Sequence, residues 1–192
     1  MGKIKHTIKV LLLVLMLSES QAQDIAPGLI RAQLTLSPSY SFSDKQSYFY
    51  LHGNLEGFLE KNISLAGEAY FSLGNVSSNP SVYDFNHSIF FGSNIHFTKN
   101  NNDIYLGLQP GLAFTRLDAV ENSLTSTTIG TNPLFSTVAG YNFYLNRLFH
   151  FFIQSRLVIG KHNYDVSKSL SEFRFSGGLG FNINAIKSES IN

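Results

Sequence analysis

From Leu29 onward, hydrophobic and polar residues alternate with a period of two through eight separate stretches. Alternation of this kind marks strands that present one apolar and one polar face. The stretches span residues 29–42, 48–59, 63–73, 85–97, 104–114, 133–144, 148–160 and 171–183. In the first, Ile30, Ala32, Leu34, Leu36, Tyr40 and Phe42 oppose Arg31, Gln33, Thr35, Ser37, Ser39 and Ser41. In the last, Phe173, Phe175, Leu179, Phe181 and Ile183 oppose Glu172, Arg174, Ser176 and Asn182. The sixth is the least regular. No stretch shows a helical period of 3.6, and no repeat of 20–50 residues occurs. Eight strands of this length suit a small barrel or a sandwich, and membrane-crossing strands need about 9–11 residues each.

Alternation by itself leaves open which face is outside. Charge decides first. With each strand's parity set by its large apolar residues, six charges fall within the strands: Arg31, Glu56, Glu68, Arg156, Glu172 and Arg174. All six lie on the polar face. A basic residue on a lipid-facing wall costs roughly 2–4 kcal/mol at mid-depth, so this segregation is what a membrane wall requires. The rest of the polar face carries Ser, Thr, Asn, Gln, Gly and His. That is unlike the Lys/Glu-rich surface of a soluble barrel and suits the crowded inside of a narrow one. The six charges, three of each sign, are expected to form a lumen network of paired side chains.

Aromatic placement points the same way. Tyr40, Phe42, Phe49, Phe71, Phe85, Phe114, Phe135 and Phe173 lie on the apolar face near one set of strand ends. Phe97, Tyr141, Phe143, Phe149 and Phe181 lie near the other. Two aromatic girdles around an aliphatic band are expected of a transmembrane barrel. Connection lengths agree if the first strand runs outward. The inner turns 60–62, 98–102 and 145–147 have three, five and three residues, and the outer loops 43–47, 74–84, 116–132 and 161–170 have five, eleven, seventeen and ten.

Before the first strand, Lys3, Lys5 and Lys9 precede an apolar run from Val10 to Leu17, followed by Ser20-Gln21-Ala22. This is the layout of a cleavable export signal, predicted to span residues 1–22 and to leave a barrel domain over 23–192. No later stretch approaches the 18 apolar residues of a membrane helix.

Composition narrows the function. Charged residues make up 14% of the 192, and 17 Phe and 9 Tyr make up another 14%. High aromatic and low charge content argue against disorder. Fourteen Lys and Arg against 13 Asp and Glu leave no basic excess for nucleic acid. With no Cys, disulfides, thiolate metal sites and catalytic thiols are excluded. The histidines make no HExxH or His-x-His spacing. His52, His96 and His150 fall on the lumen face, His87 on the lipid face and His162 in a loop. His87 and Ser88 are adjacent, so in a strand they point to opposite faces and make no catalytic pair. No catalytic residue, metal site or cofactor is expected. The outer loops, rich in Ser, Thr and Asn at 75–79 and 122–128, are candidates for contact with a surface ligand.

The stretch Leu106-Gly107-Leu108-Gln109-Pro110-Gly111-Leu112 and the closing Phe173-Arg174-Phe175-Ser176-Gly177-Gly178-Leu179-Gly180-Phe181 are similar to segments of small Gram-negative outer-membrane barrels of the OmpX, OmpA-barrel and OmpW-like class. The resemblance covers nearly the whole chain after residue 22. It implies an all-β, eight-stranded antiparallel up-and-down transmembrane β-barrel in the cell outer membrane. Outer-membrane lipid and the barrel-assembly machinery are its implied partners. Barrels of this class commonly end on an aromatic residue, whereas here Ile183 is followed by a polar tail. Pro110 lies inside a strand, where it removes a ladder hydrogen bond, and a bulge or local irregularity is expected beside Gly111. The expected role is a non-enzymatic, structural or porin-like barrel with a plugged polar lumen and external interaction loops. The alternatives are a carrier or channel for a small, even apolar, solute, and a secreted soluble barrel that binds ligand inside an apolar cavity.

Overall fold

The computed structural model describes residues 25–76, 83–117, 129–164 and 167–185. The segment expected to direct export lies outside the described residues, as do 77–82 and 118–128 of the Ser/Thr/Asn-rich loops and the tail after 185.

The strands are β1 (Leu29–Ser41), β2 (Ser47–Glu60), β3 (Ile63–Asn75), β4 (Tyr83–Lys99), β5 (Asn102–Leu117), β6 (Gly130–Tyr144), β7 (Phe149–His162), β8 (Lys168–Ser169) and β9 (Glu172–Asn184). β8 is a two-residue arm paired with the end of β7. The other eight pair with their chain neighbours in antiparallel fashion, and β9 pairs with both β7 and β1. The sheet therefore closes on itself as an eight-stranded barrel and leaves no free edge along the ring.

Several strands run longer than the alternation predicts. The connection between β4 and β5 shrinks from five residues to Asn100 and Asn101. Asn100 adopts a φ of 55°, a left-handed conformation that Asn tolerates and that a tight hairpin needs.

Burial follows the alternation with the polar face inward. In β1, Arg31 and Ser37 are fully buried while Leu34 and Leu36 are 67% and 59% exposed. Leu55, Ile104, Leu108 and Ile153 face outward in the same way. A soluble protein does the reverse, so the reading as a secreted barrel with an apolar interior is overturned. The outer face is that of a wall solvated by hydrocarbon.

Both ends of the lumen are closed by apolar side chains. Ile25, Leu29, Phe58 and Tyr144 cluster at the short-turn end. Tyr48, Tyr50, Tyr70, Tyr83, Phe90, Leu134, Val158 and Leu170 cluster toward the long-loop end.

The irregularity expected beside Gly111 is present, as a break in the ladder. The Tyr144 N–H donates to the Asn101 carbonyl at 2.8 Å, so odd-numbered residues of β5 turn their backbone groups to β6 and Pro110 turns toward β4. The β4–β5 ladder lapses between Phe90↔Gly111 and Ser93↔Leu108, yet the register on the two sides of the lapse is the same. There is an interruption and no bulge. Gly92 lets the strands approach there, because a Cβ at Gly92 would lie 2.5 Å from the Leu108 carbonyl oxygen.

Pro38 does the same at the closing seam. The Phe42 N–H donates to Ser171 at 3.1 Å, so even-numbered residues of β1, Pro38 among them, face β9. The β1–β9 ladder is paired at 29–33 and again at 39–41, without a register change. Across the gap, lumen-side hydroxyls reach the carbonyls of β9. Ser37 Oγ donates to Phe175 O at 2.8 Å and Thr35 Oγ1 to Gly177 O at 2.7 Å. Ser176 Oγ donates to Ser37 Oγ at 3.0 Å. Buried carbonyls in hydrocarbon need a donor, and these hydroxyls supply what Pro38 cannot.

This contact makes a direct test. The natural chain has no cysteine, so Ser37→Cys combined with Ser176→Cys introduces one pair only. In oxidising buffer the folded double variant is expected to form an intramolecular disulfide, read as a reductant-sensitive shift on a denaturing gel. Free thiols in the folded barrel would refute the seam geometry.

Candidate functional site

The lumen holds every within-strand charge singled out above, each of them buried. They lie in three layers along the axis, drawn from strands that are distant in sequence.

The layer nearest the short turns is built on Arg31. Arg31 and Glu56 are cross-strand partners on β1 and β2 and form an ion pair. Arg31 Nη1 also donates to Asp103 Oδ2 at 2.6 Å and to Tyr144 Oη at 2.8 Å. Its guanidinium lies over the Phe58 ring at 4.9 Å. Glu56 further accepts from the Ser64 hydroxyl and from Asn94 Nδ2 at 2.8 Å. His96 bridges the two acids, with Nδ1 3.0 Å from Asp103 and Nε2 3.1 Å from Glu56. Both ring nitrogens thus lie within hydrogen-bonding distance of a carboxylate oxygen.

The middle layer centres on Glu68. It pairs with Arg156 and approaches His52 Nε2 at 2.9 Å. It also accepts from Gln109 at 3.2 Å and Gln154 at 2.8 Å. Arg156 Nη2 donates to Gln109 Oε1 at 2.9 Å, and its guanidinium lies 4.5 Å from the Phe90 centroid.

The outer layer pairs Arg174 with Glu172 on the same strand, Nε to Oε1 at 3.0 Å. Arg174 Nη1 donates to Ser88 Oγ at 2.8 Å, and the guanidinium lies 4.3 Å from both the Tyr50 and Tyr70 centroids. Tyr50 donates to Glu172 at 3.1 Å and receives Asn86 Nδ2 at 3.1 Å. Arg156 and Arg174 are direct cross-strand neighbours on β7 and β9. Like charges so placed repel, and each is neutralised by its own carboxylate.

The sequence reading missed Asp103. It began the fifth strand two residues late, at Ile104, and left Asp103 outside both that strand and the turn 98–102, although Asp103 shares the parity of Tyr105, Gly107 and Gln109. Among the closing tyrosines, Tyr48, Tyr50, Tyr83 and Tyr144 were also missed as lumen fillers. His162 is not in a loop. It ends β7, buried, with Nδ1 2.7 Å from Thr115 Oγ1. His87 sits on the outer face, half-buried, and its Nδ1 accepts the Ser72 N–H at 3.0 Å. Its neighbour Ser88 points into the lumen and holds Arg174. Among the described residues no three His, Asp or Glu side chains converge to hold a metal.

Of the thirteen girdle aromatics, Tyr40, Phe42, Phe49, Phe71, Phe135, Phe173, Phe97, Phe143 and Phe181 are exposed. Phe85, Phe114, Tyr141 and Phe149 are half-buried against neighbours on the wall. Aromatics are not confined to the ends: Phe91 and Phe175 face outward from the middle of β4 and β9.

Comparison with solved structures supplies the context. Neisserial surface protein A superposes with a TM-score of 0.61 at 13% identity, over 80% of this chain and 95% of that one. The fold is that of the small outer-membrane barrels. The attachment invasion locus protein Ail of Yersinia pestis matches at 0.52 and 12% identity, over 82% of this chain and 99% of that one. The N-terminal barrel domain of Pseudomonas aeruginosa OprF matches at 0.50 and 15%, over 85% and 100%. No family model matches the chain, and no curated sequence matches it.

The buried layers carry a stability prediction. Arg31→Met removes the cation and leaves Glu56 and Asp103 buried without it. Stranding buried charge in this way costs about 3–5 kcal/mol. The exposed pair Arg116–Asp84 is worth at most about 1 kcal/mol, so Arg116→Met serves as the control. Urea unfolding of the barrel in lipid vesicles is expected to show a much lower midpoint for Arg31→Met than for Arg116→Met.

Proposed function

We propose that this chain is a non-enzymatic integral barrel of the outer membrane whose lumen is a structural plug and whose long-loop end is its working surface. The observation that carries this reading is the filled lumen, with three layers of paired charge packed among two clusters of buried apolar and aromatic side chains. An eight-stranded barrel is just wide enough for its side chains to fill it. A porin or solute carrier needs a connected path, and these layers lie across it. Export by the segment 1–22, with both termini periplasmic, fits the outward apolar wall and the short turns at one end.

The loop end is supported as the contact surface by its asymmetry. Three of its four connections are long, the exception being the five residues between β1 and β2, whereas the opposite end has only short turns. Loops on a rigid scaffold are where binding residues concentrate. Ail, one of the structural neighbours, has been crystallised with the heparin analogue sucrose octasulfate, and a polyanionic surface ligand is one class to test on this chain.

Two measurements test the proposal together. The protein extracted from membranes should require detergent and change gel mobility on boiling, as a closed barrel does. In planar bilayers the folded protein should show no steady conductance. A detergent-free soluble protein would sink the membrane reading, and steady single-channel currents would sink the plug while leaving the barrel intact.

A further inference from the structure

Each of the three hairpin turns at the short-turn end presents one cation. Lys61 follows β2, Lys99 ends β4, and Arg147 lies between β6 and β7. All three are exposed, and none has a carboxylate partner among the described residues. The nearest acids of the lumen, Glu56 and Asp103, are buried and engaged by Arg31 and His96. Glu60 is the single exposed carboxylate among the described residues at this end. Long-loop-end cations are partly neutralised instead: Arg116 pairs with Asp84 and Lys168 with Asp44, while Lys45 and Lys161 have no carboxylate partner among the described residues.

The three turns are held in place by their own hydrogen bonds. The Asn62 carbonyl accepts the His96 N–H at 2.9 Å. Asn102 Nδ2 donates to the Lys99 carbonyl at 3.3 Å. Asn146 Oδ1 accepts the Leu148 and Phe149 N–H groups at 2.8 and 2.9 Å. The β2–β3, β4–β5 and β6–β7 hairpins follow one another around the ring. The remaining side is taken by the chain ends, where the Ala185 N–H donates to the Gly28 carbonyl at 2.9 Å. Directly above the cations on the outer wall stand Leu59, Phe97 and Leu148, all strongly exposed. Each cation thus sits where hydrocarbon gives way to headgroups, and Lys and Arg stems lie along apolar surface while their charges reach outward.

We infer that Lys61, Lys99 and Arg147 form a basic collar that binds the phosphates of anionic phospholipids at the short-turn end of the barrel. The inference rests on the membrane-barrel reading above and deepens it by naming the lipid class and the end it engages. A cation close to an anionic lipid surface strengthens association by about five-fold. The collar spreads such contacts over three sides of the barrel and seats it at a defined depth.

The test uses the folded full barrel in micelles doped with equal amounts of phosphatidylglycerol and phosphatidylcholine. Bound lipid is counted by native mass spectrometry. Wild type is expected to retain phosphatidylglycerol several-fold over phosphatidylcholine, with the preference falling as salt rises. K61Q/K99Q/R147Q should bring the ratio close to one. K45Q/K161Q, which removes unpaired cations at the opposite end, should leave it near the wild-type value. Equal ratios in wild type and the collar variant would overturn the inference, as would an equal loss in the opposite-end control. Inorganic phosphate added in excess separates a free-anion site, which it would empty and so overturn the lipid assignment, from lipid binding, which it leaves in place. The heat-induced mobility shift is followed in every variant. Loss of that shift in wild type would instead mark failure of the barrel reading.

Discussion

Closure of the backbone ladder between β9 and β1 is the constraint from which the rest of this molecule follows. In hydrocarbon an unpaired N–H or C=O has no water to turn to, so a sheet can cross only as a closed ring. Closing eight strands sets a narrow bore, and side chains from all eight walls then meet at the axis. Whatever points inward must find its partner inside. The outer face has the opposite requirement, and the period-two alternation satisfies both at once.

The lumen answers that demand with charge and not with an apolar core. Three guanidiniums and the His96 ring face Glu56, Asp103, Glu68 and Glu172, and hydroxyls, amides and tyrosines add further hydrogen bonds. Such pairs do not by themselves make a barrel more stable than an apolar filling would. Once present, however, they make each strand's register mutually dependent. Arg31 ties β1 to β2 and β5, and Arg156 ties β7 to β3 through Glu68. A one-residue slip in any of these strands would turn its charges toward lipid.

Pro38 and Pro110, two of the three prolines within the described strands, show how the same rule tolerates local exceptions. Pro38 and Pro110 each delete a donor from the wall, and in each case the ladder lapses and resumes without a change of register. At the seam the missing bonds are taken over by Thr35 and Ser37. Those hydroxyls point into the lumen and can still reach the β9 carbonyls. Ordinary lumen residues in the alternation thus double as part of the wall.

The wall and its sidedness were legible in the residues alone. Strand parity, the inward placement of Arg31, Glu56, Glu68, Arg156, Glu172 and Arg174, and the number of staves all follow from a period of two, which is a local property. The pairings were not legible. Arg31 meets Asp103 across 72 residues and Tyr144 across 113, and no spacing rule operates over such distances. Asp103 escaped notice because its strand begins at a turn whose tightness depends on the left-handed Asn100. The seam repair by Ser37 required knowing which neighbour Pro38 faces. Alternation along one strand determines only which face a side chain takes. Which partner it meets depends on the closure and register of the whole ring, and these exist only in the folded barrel.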